Sequence, residues 1–186
     1  MKFSLPNTKV SKRGFSLIEL VIVVAILGLL ATLAVPAMSR MQERAKSTSC
    51  AANLRAVGVA VQIFAQDNQN RLPTIEGYPS DPIYDGEMAE KAQTMMGALG
   101  PYGLTESTLE CPADSVWFEK EGTSYFWKPT LDDELVSNPT IYGRRGQRSI
   151  PPQYASLCTD FEAVHGPKGH RRANRLYLDG HVNTYH

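Results

Sequence analysis

Residues 14–36 read GFSLIELVIVVAILGLLATLAVP, and this stretch decides how the chain is built. From Leu20 to Ser39 no residue is charged, and apolar side chains fall on every face of a helix rather than on one stripe. A run of about 20 such residues matches the hydrocarbon thickness of a bilayer. The stretch therefore predicts one membrane-spanning helix.

The residues before this helix predict its orientation and its fate. Residues 1–14 hold four basic residues and no acidic one, and by the positive-inside rule they stay in the cytoplasm. In an ordinary secretory signal the cleavage site follows the apolar core, so the core is lost. Here the candidate site, between Gly14 and Phe15, precedes the apolar run. We therefore expect a product that keeps its helix and carries a head outside the cytoplasm.

The same residues resemble the prepilin cleavage and methylation segment of type IV pilins and type II secretion pseudopilins, and the resemblance extends over residues 12–64. It implies that a prepilin peptidase cuts between Gly14 and Phe15 and then N-methylates Phe15. Glycine suits the cut because a backbone without a Cβ lies close to the catalytic groups of a protease. The alternative is that Gly14 is only a turn residue.

Two residues of the apolar run have expected roles in assembly. A carboxylate costs about 2.5 to 3.5 kcal/mol near the bilayer centre, so Glu19 needs a partner. The resemblance implies that Glu19 pairs with the new amine of Phe15 on a neighbouring subunit. Pro36 is expected to kink the helix. Two alternatives remain open: Glu19 extends to the lipid headgroups, and Pro36 has no functional consequence.

After Ser39 the pattern changes from wholly apolar to amphipathic. We expect the helix to leave the membrane, to pack one face on a sheet, and to end just before Pro73, because a proline disfavours helical geometry in the residue before it. The apolar positions of that face recur at alternating steps of four and three: Cys50, Leu54, Val57, Val61 and Phe64.

The rest of the sequence predicts an α+β head. A second helix is expected over residues 86–99, with Asp85 as its cap. Residues 129–152 are expected to form a long exposed loop. Asp179-Gly180 predicts a type I′ hairpin turn, in which both residues have positive φ. The predicted strands lie at residues 124–127, 154–159, 175–178 and 181–185.

The three cysteines permit one disulfide and one free thiol in an exported chain. Cys50 lies at the membrane end of the apolar stripe, where a disulfide could fasten the head to the helix. Cys111 lies beside Pro112 in the predicted loop at residues 110–114, and we expect these two cysteines to pair. The alternative is that all three, Cys158 included, stay reduced as small core residues. Their spacing does not resemble a structural zinc site, and we expect neither a metal nor a cofactor.

The C-terminal GHRRANRLYLDGHV is similar to a processing-associated domain of prepilin-like families, whose signature is a histidine, nine residues and then Asp-Gly. In this chain eight residues separate His170 from Asp179. An alternative interpretation groups His165, His170, Asp179 and His181, with Asp160 nearby, into a metal cluster. The turn chemistry of Asp179 explains that residue without a metal.

These patterns predict a structural subunit, a pseudopilin of a type II secretion or type IV pilus-like filament, and not an enzyme. Two alternatives remain open. A minor subunit at the filament tip would use its head as a binding module, for which residues 144–186, with seven basic and three acidic residues, are the available feature. A metal-dependent enzyme would use the C-terminal histidines and aspartates, although the sequence contains no nucleophile elbow, phosphate loop or zincin helix.

The expected partners are a prepilin peptidase, other pilin or pseudopilin subunits, an inner-membrane assembly platform and the membrane itself. No basic nucleic-acid footprint occurs, so we expect no nucleic acid. The chain should cross the inner membrane once, with its N-terminus cytoplasmic before processing and its head periplasmic. Its expected parts are a leader at 1–14, a membrane and assembly helix at 15–39, an amphipathic continuation at 40–72 and the head at 73–186.

Overall fold

A computed structural model describes residues 14–143, 146–165 and 172–184. The chain divides into two compact units, and the boundary falls between Ser39 and Arg40. The helices are α1 (Leu17–Asp67), α2 (Gly86–Lys91), α3 (Met95–Leu99), α4 (Glu106–Leu109) and α5 (Trp117–Glu121). The strands are β1 (Tyr125–Trp127), β2 (Thr140–Gly143), β3 (Gly146–Ser149), β4 (Ser156–Asp160), β5 (Arg175–Tyr177) and β6 (Val182–Asn183).

In the first unit, helix α1 buries none of the large apolar side chains that the structure describes. Leu17 exposes 79% of its surface, and Leu27 exposes 59%. Contiguous exposed apolar surface of this extent marks a membrane or protein contact. The first unit therefore presents an apolar surface of the kind that contacts lipid or another protein.

In the second unit, the remaining part of α1 forms one wall of the core. Leu54, Val57 and Val61 are fully buried there. Helix and sheet approach closely at Gly58, where an added Cβ would lie 3.1 Å from Cδ1 of Leu176. The predicted stripe is therefore the face of α1 that packs against the sheet.

The sheet of the head is antiparallel, and its strands lie in the order β1-β4-β5-β6. Trp127 of β1 pairs with Cys158 of β4, and Leu176 of β5 pairs with Val182 of β6. Each of the four corresponds to a predicted strand, although β6 is shorter than expected over the part that the structure describes. The predicted α+β class, with a long N-terminal helix and a small antiparallel sheet, is confirmed.

The second predicted helix is wrong as one continuous element. It divides into α2 and α3 because the backbone of Gln93 pairs with the segment after Leu72: Gln93 N–H donates to Thr74 O at 3.2 Å, and Gln93 O accepts from Glu76 N at 2.9 Å. The side chain of Thr94 then caps α3 by accepting the N–H of Gly97 at 3.0 Å. Asp85 stands at the start of α2 without a side-chain cap hydrogen bond.

The predicted loop over residues 129–152 is also wrong, because it contains a second antiparallel pair. Strands β2 and β3 pair in a register that places Gly143 opposite Gly146. The connection between these two glycines, residues 144–145, lies outside the described residues. Every residue of β3 is exposed, so its sequence GQRS has no apolar alternation from which a strand could be predicted.

The turn between β5 and β6 differs from the predicted type. Gly180 has a φ of +87°, whereas the φ of Asp179 is not positive. The N–H of Gly180 donates to Tyr177 O at 2.9 Å. The connection is thus longer than a two-residue type I′ turn, with a single glycine in the left-handed region, a common arrangement in longer hairpin loops.

Candidate functional site

The predicted cleavage point lies in an exposed part of the first unit. A Cβ on Gly14 would meet no atom within 4 Å, and Phe15 exposes 75% of its surface. Except for Gly14, the predicted leader at residues 1–14 lies outside the described residues. Among the described residues no side chain accounts for a glycine at position 14, and its role in cleavage stays a prediction.

Glu19 has a local partner that the sequence analysis missed. The N–H of Ser16 donates to Oε2 of Glu19 at 2.9 Å, immediately before α1 begins at Leu17. This is one half of a capping box, whose signal is the Ser-x-x-Glu spacing of residues 16–19. A carboxylate in the first turn is also favoured by the helix dipole. In a single chain, Glu19 therefore stabilises the start of its own helix.

Two parts of α1 are apolar enough to be considered for the membrane. By length and composition Ala37–Asp67 qualifies, since an 18-residue window within it has a mean hydropathy of 1.2, but 44% of that window is buried inside the protein. Leu17–Thr32 is a shorter apolar stretch, and its large side chains are exposed. Residues 40–67 contribute to the core of the head, whereas the described large apolar side chains before Ser39 are exposed, and the membrane segment at residues 15–39 stays a prediction.

Pro36 lies within α1, so the helix is assigned on both sides of it. A proline inside a helix removes one backbone hydrogen bond and usually bends the axis. The kink at this position stays a prediction.

The head contains a disulfide between Cys50 and Cys111, with 5.1 Å between the two Cα atoms. Nearby, the side-chain amide of Asn53 donates to the carbonyl of Glu110 at 2.8 Å. Both contacts attach α1 to the loop that follows α4. Cys158 is a buried free thiol on β4, and burial raises its pKa.

A buried histidine lies against this disulfide. Nε2 of His165 lies 3.5 Å from Cys111 Sγ and 3.2 Å from Oδ2 of Asp160. The same carboxylate oxygen accepts the N–H of Asn174 at 2.6 Å. The backbone of His165 is held by a pair of hydrogen bonds with Arg172.

The metal cluster considered from the sequence is therefore divided. His181 Nδ1 lies 2.6 Å from Asp179 Oδ1, within the exposed β5–β6 turn. His165 and Asp160 form a separate buried pair. His170 lies outside the described residues.

Two aspartates of the head owe their environments to local structure. Partial burial opposes ionisation of Asp114, but hydrogen bonds from Ser124 and from the backbone at Val116 to Phe118 outweigh it and lower its pKa. Burial raises the pKa of Asp132 to about 6, although hydrogen bonds from Tyr84 and Trp127 oppose that effect. Asp114 therefore serves as the cap of α5, and Asp132 joins the segment before α2 to the sheet.

The fold and the exposed segment define a class of protein with a pilin-like α+β architecture. A long N-terminal helix carries exposed apolar side chains in its first part and packs on a small antiparallel sheet in its second part. Residues 9–35 match a family model described as the prokaryotic N-terminal methylation motif. No solved structure matches the chain significantly.

Curated relatives point the same way. The chain is 48% identical to the type IV major pilin protein PilA of Myxococcus xanthus over 52 residues, which is 28% of this chain and 24% of that protein. It is 28% identical to the type IV major fimbrial protein FimA of Dichelobacter nodosus over 94 residues, 50% of this chain and 60% of that protein. It is 40% identical to the type II secretion system core protein G of Pseudomonas aeruginosa over 55 residues, 30% of this chain and 39% of that protein.

The chain thus spans less than two thirds of the length of each of these relatives. The matches and the motif support a pilin-like or pseudopilin family, as the sequence analysis inferred. They also support membrane anchoring through the apolar N-terminal helix.

Proposed function

We propose that this chain is a structural subunit, a pseudopilin or pilin, that polymerises into a type II secretion or type IV pilus-like filament. The observation that carries the proposal is one exposed carboxylate, Glu19, on an apolar helix that begins directly after a candidate cleavage point. The role is mechanical rather than catalytic.

Maturation is the first step of the proposed function. A prepilin peptidase removes residues 1–14 and N-methylates Phe15. The Gly14 backbone is accessible, and no side chain of the described structure obstructs an approach to it. Cleavage creates a positively charged amine four residues before Glu19.

Assembly is the second step. The carboxylate of Glu19 leaves its contact with Ser16 N–H, or shares it, and pairs with the amine of Phe15 on a neighbouring subunit. Charge pairs of this kind gain strength where water is excluded. The exposed apolar side chains of the first unit would then be covered by lipid before assembly and by neighbouring helices after it.

The proposed location is the inner membrane, crossed once, with the N-terminus in the cytoplasm before processing and the head in the periplasm. The partners are the prepilin peptidase, other pilin or pseudopilin subunits and an inner-membrane assembly platform. The basic residues of the leader supply the orientation by the positive-inside rule.

Intact mass of the protein extracted from cell membranes tests the maturation step. The expected product begins at Phe15 and carries one methyl group. A Gly14→Val variant should keep its leader, because a branched side chain would obstruct the peptidase, while an added Cβ meets no atom of the described residues within 4 Å. Gly28→Val is the matched control, since a Cβ there also meets no atom within 4 Å.

The control should be processed like the unmodified protein. Recovery of a protein that still begins at Met1 would contradict the proposal. Equal processing of the Gly14→Val and Gly28→Val variants would contradict the role of Gly14.

A further inference from the structure

The Cys50–Cys111 disulfide belongs to a buried polar cluster that has no part in the assembly step proposed above. Both sulfurs are fully buried, and His165 and Asp160 expose only 2% and 3% of their surfaces. Buried polar atoms are normally hydrogen-bonded, and an unsatisfied one is costly. Oδ1 of Asp160 has no hydrogen-bond partner among the described residues. Apolar packing of the core therefore does not explain why these polar groups are buried together.

We propose that reduction of the disulfide converts this cluster into a metal site, in which Cys50 Sγ, Cys111 Sγ and His165 Nε2 bind one Zn²⁺ ion or a similar transition-metal ion. Two thiolates and an imidazole are the ligand types that Zn²⁺ prefers in proteins. The three ligand atoms lie within 4.8 Å of one another. The inference does not depend on whether the chain forms filaments.

The distances around His165 already suit a tetrahedral site. From ordinary Zn–S and Zn–N bond lengths, a sulfur and a nitrogen ligand should be about 3.6 Å apart. Cys111 Sγ and His165 Nε2 are 3.5 Å apart. A nitrogen and an oxygen ligand should be about 3.4 Å apart. Oδ2 of Asp160 lies 3.2 Å from the same nitrogen, so this carboxylate is the nearest group to a fourth position.

The sulfur pair needs a local adjustment. Two thiolates on one zinc ion should be about 3.8 Å apart, a separation that becomes available only when the bond between the sulfurs is broken. His165 is preorganised, since its backbone exchanges two hydrogen bonds with Arg172, at 3.1 and 2.8 Å. The cysteines therefore move toward a histidine that is already in place.

The chemistry of the conversion balances. A dithiol reductant supplies two electrons and two protons; the S–S bond breaks, two thiols form, and the reductant becomes its own disulfide. Binding of the metal ion then releases both thiol protons. The imidazole binds as the neutral form through a deprotonated Nε2, so the proton that Nε2 shares with Asp160 moves to Nδ1 or is released. Each sulfur is bonded either to the other sulfur or to the metal, so the two states exclude each other.

Cobalt(II) is the probe for this site, because its thiolate charge-transfer and tetrahedral d–d absorption bands report the ligands directly. The full chain, purified in a mild detergent, is reduced with a phosphine and titrated with Co²⁺ without oxygen. We expect one Co²⁺ per reduced chain with both kinds of band, and no such bands from the oxidised chain.

Variants separate ligation from folding. Replacing a residue that only hydrogen-bonds to a metal ligand usually lowers metal affinity by roughly 10- to 100-fold. Cys111→Ser and His165→Gln remove ligands, so each should lower the Co²⁺ affinity by more than that. Cys158→Ala is the matched control, because Cys158 is also fully buried but lies outside the cluster, and it should bind Co²⁺ like the unmodified chain. Absence of Co²⁺ uptake by the reduced chain, or an equal loss in Cys158→Ala, would overturn the proposal.

Zinc-edge X-ray absorption of the unmodified reduced chain keeps the proposal testable even if a variant does not fold. The expected spectrum contains two sulfur ligands and one imidazole. Fewer than two sulfurs, or no imidazole, would overturn the assignment.

Discussion

Leu27 and Leu54 lie on the same helix, α1, in opposite environments. Leu27, in the unit that ends at Ser39, exposes 59% of its surface, whereas Leu54, in the head, exposes none. Burial of apolar surface stabilises by about 25 cal/mol per Å², so Leu54 contributes to the stability of the head within the chain itself. Leu27 buries much less of its surface among the described residues. The head thus has a core of its own, while the described large apolar side chains of the N-terminal unit stay exposed.

Loss of the disulfide should have the largest effect on the stability of the head. Replacing both Cys50 and Cys111 with alanine should lower the free energy of unfolding of the head by about 4 kcal/mol, because the crosslink closes a loop with a sequence separation of 61. Urea unfolding of the full chain in mild detergent measures the change. Cys158→Ala is the control, with an expected loss of about 1 kcal/mol. Equal midpoints for the double variant and the unmodified chain would contradict this expectation.

The two leucines supply the next effect. Leu54→Ala should lower the free energy of unfolding by about 3 kcal/mol, since it leaves a cavity in the core. Leu27→Ala should change it by less than about 0.5 kcal/mol, since the side chain exposes 59% of its surface and lies outside the core of the head. The same urea titration compares the two. Similar losses from both variants would show that residues before Ser39 share the core of the head.

The pH dependence of the head is a smaller effect, and it arises from Asp132. Its pKa is raised from an ordinary value of 3.8 to about 6 in the folded state, mainly by burial. Asp132 therefore binds a proton more tightly in the folded head than in the unfolded chain, so its own contribution to stability should fall as the pH rises from about 4 to about 6 and then level off. Asp114 and Glu121, whose pKa values are lowered, contribute in the opposite direction, so the contribution of Asp132 is the difference in stability between the unmodified chain and an Asp132 variant. The expected loss is on the order of 1 to 3 kcal/mol, reduced by solvent screening.

Urea midpoints at pH 4, 5 and 7 test this slope. Asp132→Asn should remove this contribution, whereas Asp133→Asn should leave it unchanged, because the Asp133 side chain is 63% exposed. A stability that rises between pH 4 and pH 6, with the slope unchanged in Asp132→Asn, would contradict the assignment.

The smallest effect is expected at Glu19. Glu19→Gln removes the charge from the first turn of α1 but keeps an acceptor for Ser16 N–H, so the helix should lose only about 0.3 to 1 kcal/mol. Circular dichroism of the chain in detergent micelles measures the helix content. A large loss of helix would mean that Glu19 mainly supports its own fold.

The buried face of α1 could be predicted from the sequence, because it depends on the periodic spacing of apolar residues. The stripe from Cys50 to Phe64 repeats over several turns, so the buried face of α1 followed from spacing alone. The break between α2 and α3 did not, because it arises from backbone hydrogen bonds between Gln93 and a distant segment. The β2–β3 pair was missed because β3 is exposed along its whole length and has no apolar alternation to detect.

The candidate sites divide in the same way. Gly14, Phe15 and Glu19 follow from a local motif, whereas the approach of His165 to the disulfide depends on the pairing of distant segments. The capping role of Glu19 was detectable, since Ser-x-x-Glu at residues 16–19 is a known helix-start signal.

Filament formation by the Glu19→Ala variant tests the central claim most directly. The sedimentable filament fraction would be measured for the unmodified chain, for Glu19→Ala and for Glu43→Ala, an exposed glutamate of the same helix, after intact mass has shown equal processing. We expect at least a tenfold loss of filaments for Glu19→Ala, equivalent to about 1.4 kcal/mol or more of lost assembly free energy, and no loss for Glu43→Ala. Filament formation by Glu19→Ala at the level of the unmodified chain would contradict that claim.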